Sequence, residues 1–100
     1  MSADFDASRI DEVIHGKLRL GIMAYLSSVS AATFPELKRH TGASDGNLSV
    51  NLRKLEDAGY VGIEKRFVDR KPQTRASLTA TGRKAWLAYL DHLRALLGSD

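Results

Sequence analysis

One hundred residues, 43% hydrophobic and 27% charged, suffice for one domain with a small core and exclude a disordered chain. The absence of cysteine excludes disulfides, thiolate metal sites and thiol redox chemistry, and it fits a reducing cytoplasm. Net charge is only +3 but uneven: positions 38–84 hold eleven Lys or Arg against five Asp or Glu, while the flanks hold four against seven, so the middle segment suits an acidic partner, most simply a phosphate backbone.

The N-terminal MSADFDASRIDEV is acidic and polar where a signal peptide would be basic and then apolar, and no apolar run approaches the ~18 residues that span a bilayer. A cytoplasmic chain with no membrane partner is expected. Ile10, Val13 and Ile14 lie three and four apart and predict a short helix; after Gly16, Leu18, Ile22, Tyr25, Leu26 and Val29 predict a longer one. Residues 27–32 leave room for a turn and a minimal strand.

Thr33 and Glu36 in TFPE have the spacing of a capping box, and Pro35 is tolerated in a first turn, so a helix runs from Phe34 to about His40. Gly42 ends it in the left-handed conformation, and Ser44 caps the next helix, with Asp45 in its first turn against the dipole. That helix reaches Ala58. At 100° per residue Leu52 lies about 40° and Leu55 about −20° from Leu48, so the three leucines form one buried stripe. The opposite face carries Gly46, Asn47, Val50, Arg53 and Lys54, with Ser49 at its margin. These are groove chemistries: Asn for an adenine edge or phosphate, Arg for guanine or phosphate, Val for a thymine methyl, and a glycine that lets the helix N-terminus approach a backbone.

Past Gly59 the period becomes two, with Val61, Ile63 and Phe67 on one side and Glu64 and Arg66 on the other. VDRKPQ reads as an exposed hairpin tip, and TRASL returns with Ala76 and Leu78 inward. Lys65, Arg66, Arg70, Lys71 and Arg75 make this hairpin basic enough for sequence-independent, salt-sensitive affinity. Two helices joined by a tight turn and followed by a basic hairpin form a winged helix-turn-helix, an α+β and mainly α fold. The divisions are helix-turn-helix 34–58, wing 60–78 and C-terminal helix 80–97, all within one domain.

The C-terminal helix, capped by Thr79, repeats Trp86, Leu90, Leu93 and Leu97 with Tyr89 beside them, and Leu87 and Leu96 widen the apolar surface. One side can cover the core, and the remainder favours a homodimer interface completed by Phe5, Ile10 and Val13. His15, His40 and His92 have no metal spacing and nothing resembles a nucleophile motif, so no cofactor, no metal and no enzyme activity are expected.

LRLGIMAYL, FPELKRHTGASDGNLSVNLRKLEDAGYV and RKPQTRASLTATGRKAW resemble the small winged-helix transcriptional regulators of the MarR and ArsR groups, over about residues 14–97. The resemblance implies a homodimeric DNA-binding regulator with residues 44–58 as recognition helix and 67–73 as wing. It makes Asn47, Ser49, Val50, Arg53 and Lys54 the groove residues and Arg70 and Lys71 the wing-tip contacts. A repressor on a pseudo-palindromic operator is the expectation. The other class is a winged-helix module that docks its basic face on a protein or RNA, since fold does not fix function.

Overall fold

The computed structural model describes residues 7–98. A 3-10 turn, Ala7–Arg9, precedes α1 (Lys17–Ser27), β1 (Ala32–Thr33), α2 (Phe34–Thr41), α3 (Asp45–Asp57), β2 (Val61–Val68), β3 (Lys71–Leu78) and α4 (Ala80–Leu96). Four helices thus surround a three-stranded antiparallel sheet in the order β1-β3-β2. The winged helix-turn-helix read from the sequence is the fold observed.

One expected helix is absent. Residues 10–14 form a turn because the Asp11 carboxylate takes the bonds a helix would need: its Oδ1 accepts the N–H of Val13 at 2.8 Å and of Ile14 at 3.1 Å. Local side-chain bonding of this kind competes directly with helix formation. The turn still seats Ile14 in the core.

That core collects Ile22, Met23 and Leu26 of α1, Leu37 of α2, Leu48, Leu52 and Leu55 of α3, Val61 and Ala76 of the sheet and Tyr89 of α4. The leucine stripe of α3 is buried as its spacing requires, and each such side chain contributes about 1.5–3 kcal/mol by leaving water. The capping box of α2 is complete: the Thr33 N–H donates to Glu36 Oε1 at 2.8 Å, and the Glu36 N–H to Thr33 Oγ1 at 3.3 Å. Ser44 caps α3 by accepting from the Asn47 N–H at 3.2 Å.

The junction between α3, the wing and α4 is close-packed. Gly59, at φ 82°, turns the chain out of α3. The Tyr60 carbonyl then accepts the Thr79 N–H at 3.0 Å, and the Thr79 hydroxyl donates to the Gly59 carbonyl at 2.6 Å. Gly82, in the first turn of α4, lies so near this backbone that a Cβ there would stand 2.0 Å from the Tyr60 carbonyl oxygen.

The hairpin is tighter and longer than its sequence suggests. Only Asp69 and Arg70 form the turn, with φ 53° and 66°, while Lys71, Pro72 and Gln73 belong to β3. Positive φ at both central residues is the type I′ geometry whose twist suits paired strands. Pro72 is accommodated opposite Phe67 because β1 pairs only with Arg75 and Ala76, leaving that height of β3 an open edge. Phe67 is 77% exposed. It keeps the side of Val61 and Ile63, but the hairpin has by then outrun the core.

Candidate nucleic-acid interface

The exposed side of α3 consists of Gly46, Asn47, Ser49, Val50, Arg53 and Lys54, with Ser44 just ahead of it. Its N-terminal turn is braced from α2, where Lys38 pairs with Asp45 at 2.6 Å. Both side chains are exposed, so this pair orients the turn and carries small energetic weight. Gly46 has open space where a Cβ would be, so no intramolecular contact requires a glycine.

A groove of about 320 Å³ separates α3 from the wing, with Ser49, Arg53 and Glu56 on one bank and Ile63, Lys65 and Thr74 on the other. The structure therefore brings Ser49, Arg53 and Lys65 together, with Glu56 among them. Arg53 is held loosely by Asp57 at 3.6 Å, an exposed pair of small energetic weight. Lys54 projects from the opposite flank, beside Arg19 and Glu12.

Strand alternation divides the wing cations. Lys65 shares the α3 side of the hairpin with Ile63 and Phe67, whereas Arg66 is on the far side, 3.8 Å from Glu64. Arg70 occupies the turn and Lys71 follows it, both exposed. Among the described residues, Lys54, Lys65, Arg70 and Lys71 have no acidic side chain in ion-pair range. Arg75 lies in the returning strand of the hairpin. It is half-buried in the central strand, paired to Thr33 on one side and Glu64 on the other. Its charge also reaches Glu36, whose carboxyl is held below the ordinary range chiefly by the Thr33 N–H and hydroxyl, with Arg39 and Arg75 adding to the effect.

The apolar residues expected at a dimer interface separate into three groups. Tyr89 is 1% exposed within its own protomer and hydrogen-bonded to His15 Nδ1 at 2.9 Å, so it has no surface left for a second copy. Ile10, Val13, Trp86, Leu90 and Leu93 are half-buried against the core. Leu97 is 73% exposed, as are Leu87 at 57% and Leu96 at 52%. Phe5 lies outside the described residues.

Two positioning contacts escape sequence reasoning. Arg19 of α1 donates to the Val13 carbonyl and, at 2.8 Å, to Asn51 Oδ1, while Asn51 Nδ2 donates to the Asn47 carbonyl at 2.8 Å. This chain of bonds anchors the flank of α3 and occupies the Asn51 amide. Tyr60 donates to Asp11 Oδ2 at 2.5 Å, and that bond, with desolvation, raises its phenol to a pKa of about 12. Partners 32 and 49 positions apart leave no local signal, although the Asp11 turn itself has a recognisable pattern. His15 and His40 are structural, the latter stacked on Tyr25 with ring centres 3.8 Å apart.

This geometry is that of a winged-helix regulator, and the sequence agrees. Residues 18–97 match the family model described as a winged helix DNA-binding domain, and the chain belongs to that family. An uncharacterized protein of Methanocaldococcus jannaschii is 30% identical over 79 residues, covering 79% of this chain and 86% of the relative. A transcriptional regulator homologue from Pyrococcus horikoshii OT3 superposes with a TM-score of 0.82 at 30% identity, over 88% of this chain and 87% of its own. A MarR family transcriptional regulator from Silicibacter pomeroyi shares the fold with a TM-score of 0.68 at 22% identity, covering 88% of this chain and 58% of the longer neighbour. The family and fold are those of transcriptional regulators, which are not enzymes. No helix among the described residues is long and apolar enough to cross a membrane.

Proposed function

We propose that the protein is a dimeric, sequence-specific DNA-binding regulator that represses transcription by occupying a pseudo-palindromic operator in the cytoplasm. The observation that carries this reading is the shared outlook of α3 and the wing: Ser49 and Arg53 face Lys65 across one groove, beside unpaired cations at the hairpin tip. With α3 in a major groove, Asn47, Val50 and Arg53 meet base edges, while Ser44, Gly46 and Lys54 meet the adjoining backbone. Lys65 and the tip residues Arg70 and Lys71 supply phosphate contacts from the wing, and Arg66, on the hairpin's other side, adds longer-range attraction. Arg75, half-buried in the central strand, adds positive charge at the base of the wing.

Support for two copies comes from α4, whose exposed Leu87 points away from the core-facing Tyr89 and whose Leu96, with Leu97 at the C-cap, carries the apolar stripe past the end of the core. Trp86, Leu90, Leu93, Ile10 and Val13 would become more deeply covered by the second copy. Reversing Arg53 and Arg70, as R53E and R70E, should abolish retention of DNA recovered by selection from a random pool while circular dichroism stays unchanged. Undiminished binding at physiological salt would overturn the assignment. Transcription from a promoter bearing the selected site should fall when protein is added; a rise would overturn the repressor reading.

A further inference from the structure

The apolar ring at the end of the wing is not explained by the fold. Phe67 is 77% exposed, and its cross-strand neighbour is Pro72, itself exposed, so truncating the ring removes no core packing. It stands four positions beyond Ile63, roughly 13 Å along the strand at about 3.3 Å per residue, and β1 reaches no further out than Arg75. Its surroundings are cationic: Lys65 shares its side of the hairpin, Arg66 precedes it, and Arg70 and Lys71 stand at the tip, against the acidic Asp69. A bare aromatic ring within such a ring of charge fits a partner with anionic rims and an apolar interior.

We infer that Phe67 is a wedge that enters the DNA minor groove beside the operator half-site and lodges against a base step. The inference rests on the DNA-binding reading above. The α3 side of the hairpin faces the duplex: Lys65, beside Arg53 in the groove, fronts the intervening phosphate strand, and Phe67, two residues further out, passes beyond it. Phosphate offers nothing to a phenyl ring, whereas sugar walls and partly unstacked base steps do, and apolar wedges in minor grooves kink DNA at flexible steps. Phe67 therefore confers a preference for a deformable pyrimidine–purine step in the flank, which α3 does not touch.

The test compares wild type, Phe67→Ala, Phe67→Leu and Arg70→Ala on a selected duplex carrying 2-aminopurine at successive flanking positions, with bending read by end-to-end energy transfer. Wild type should raise fluorescence at one step and bend the duplex. Phe67→Ala should lose both signals and about tenfold in affinity, with the salt dependence unchanged. Phe67→Leu should retain part of each, and Arg70→Ala should lower the salt slope while keeping the fluorescent step. A Phe67→Ala protein with wild-type affinity and bending overturns the wedge, as does one that binds normally but sediments as a smaller species, which would assign the ring to a contact between copies. Wild type that retains no duplex at any selected sequence overturns the DNA-binding reading itself.

Discussion

Gly46 stands in the first turn of α3 with open space in place of a side chain. Glycine in a helix is less stable than alanine, so Gly46→Ala should stabilise the fold by about 0.4–1 kcal/mol, measured by denaturant titration. The same methyl group would stand between the helix N-terminus and a DNA backbone, so affinity should fall about tenfold, or ~1.4 kcal/mol. Opposite signs in the two measurements are the expected result; equal DNA affinity would exclude close backbone approach. Tyr60 gives a second prediction at this scale. Its phenol, bonded to Asp11, has a pKa raised to about 12 from the ordinary 10, so its contribution is fully present below pH 10 and is lost as pH rises towards 12. Tyr60→Phe should flatten the fall in thermal stability across that alkaline window; an unchanged profile would show that the bond does not persist in solution. Side chains of the α3 stripe were legible because helical spacing alone places Leu48, Leu52 and Leu55 together. The Tyr60–Asp11 bond was not, since only the folded chain brings those two residues into contact.

At the level of elements, the capped ends of α2, α3 and α4 could be read because caps are local chemistry: Thr33, Ser44 and Thr79 all accept the backbone N–H their positions imply. The segment at residues 10–14 misled because apolar spacing indicates which side is buried without excluding a side chain that captures the backbone. The wing misled in length, since Lys71 and Pro72 resemble loop residues and only pairing with Val68 and Phe67 makes them strand. Gly82 marks the junction most sensitive to change. Gly82→Ala would drive a methyl group into the Tyr60 carbonyl oxygen, and it should cost about 1–3 kcal/mol by displacing α4 from the base of the wing. Chemical denaturation checks the stability, and near-ultraviolet circular dichroism of Trp86 and Tyr89, whose rings stack 5.9 Å apart on α4, checks the displacement. A substitution without effect would mean that the helix is not seated this closely.

As a whole the molecule is elongated, 58 Å in its longest dimension, with a radius of gyration of 15.0 Å where a compact chain of this length has about 13 Å. The exposed apolar residues concentrate on α3 and the wing (Val50, Phe67 and Val68) and on α4 (Leu87, Leu96 and Leu97). On the proposed function the first group meets DNA and the second a twin subunit. Replacing Leu96 and Leu97 by glutamate, both exposed in the protomer, should yield folded monomers in sedimentation and weaken DNA binding by requiring two separate associations; a wild-type protein already monomeric at micromolar concentration would refute the dimer. Paired subunits should select inverted repeats with centres about 34 Å apart, one helical turn. The two-residue turn at Asp69 and Arg70 adds a constraint on how such a regulator could be retargeted. One extra residue in each strand would carry Phe67 and its outer neighbours to the opposite side of the ribbon; two in each would restore them about 7 Å further out. The reach of this wing can therefore be extended only in increments of four inserted residues, so flank readout in lengthened variants should recur in steps rather than vary continuously.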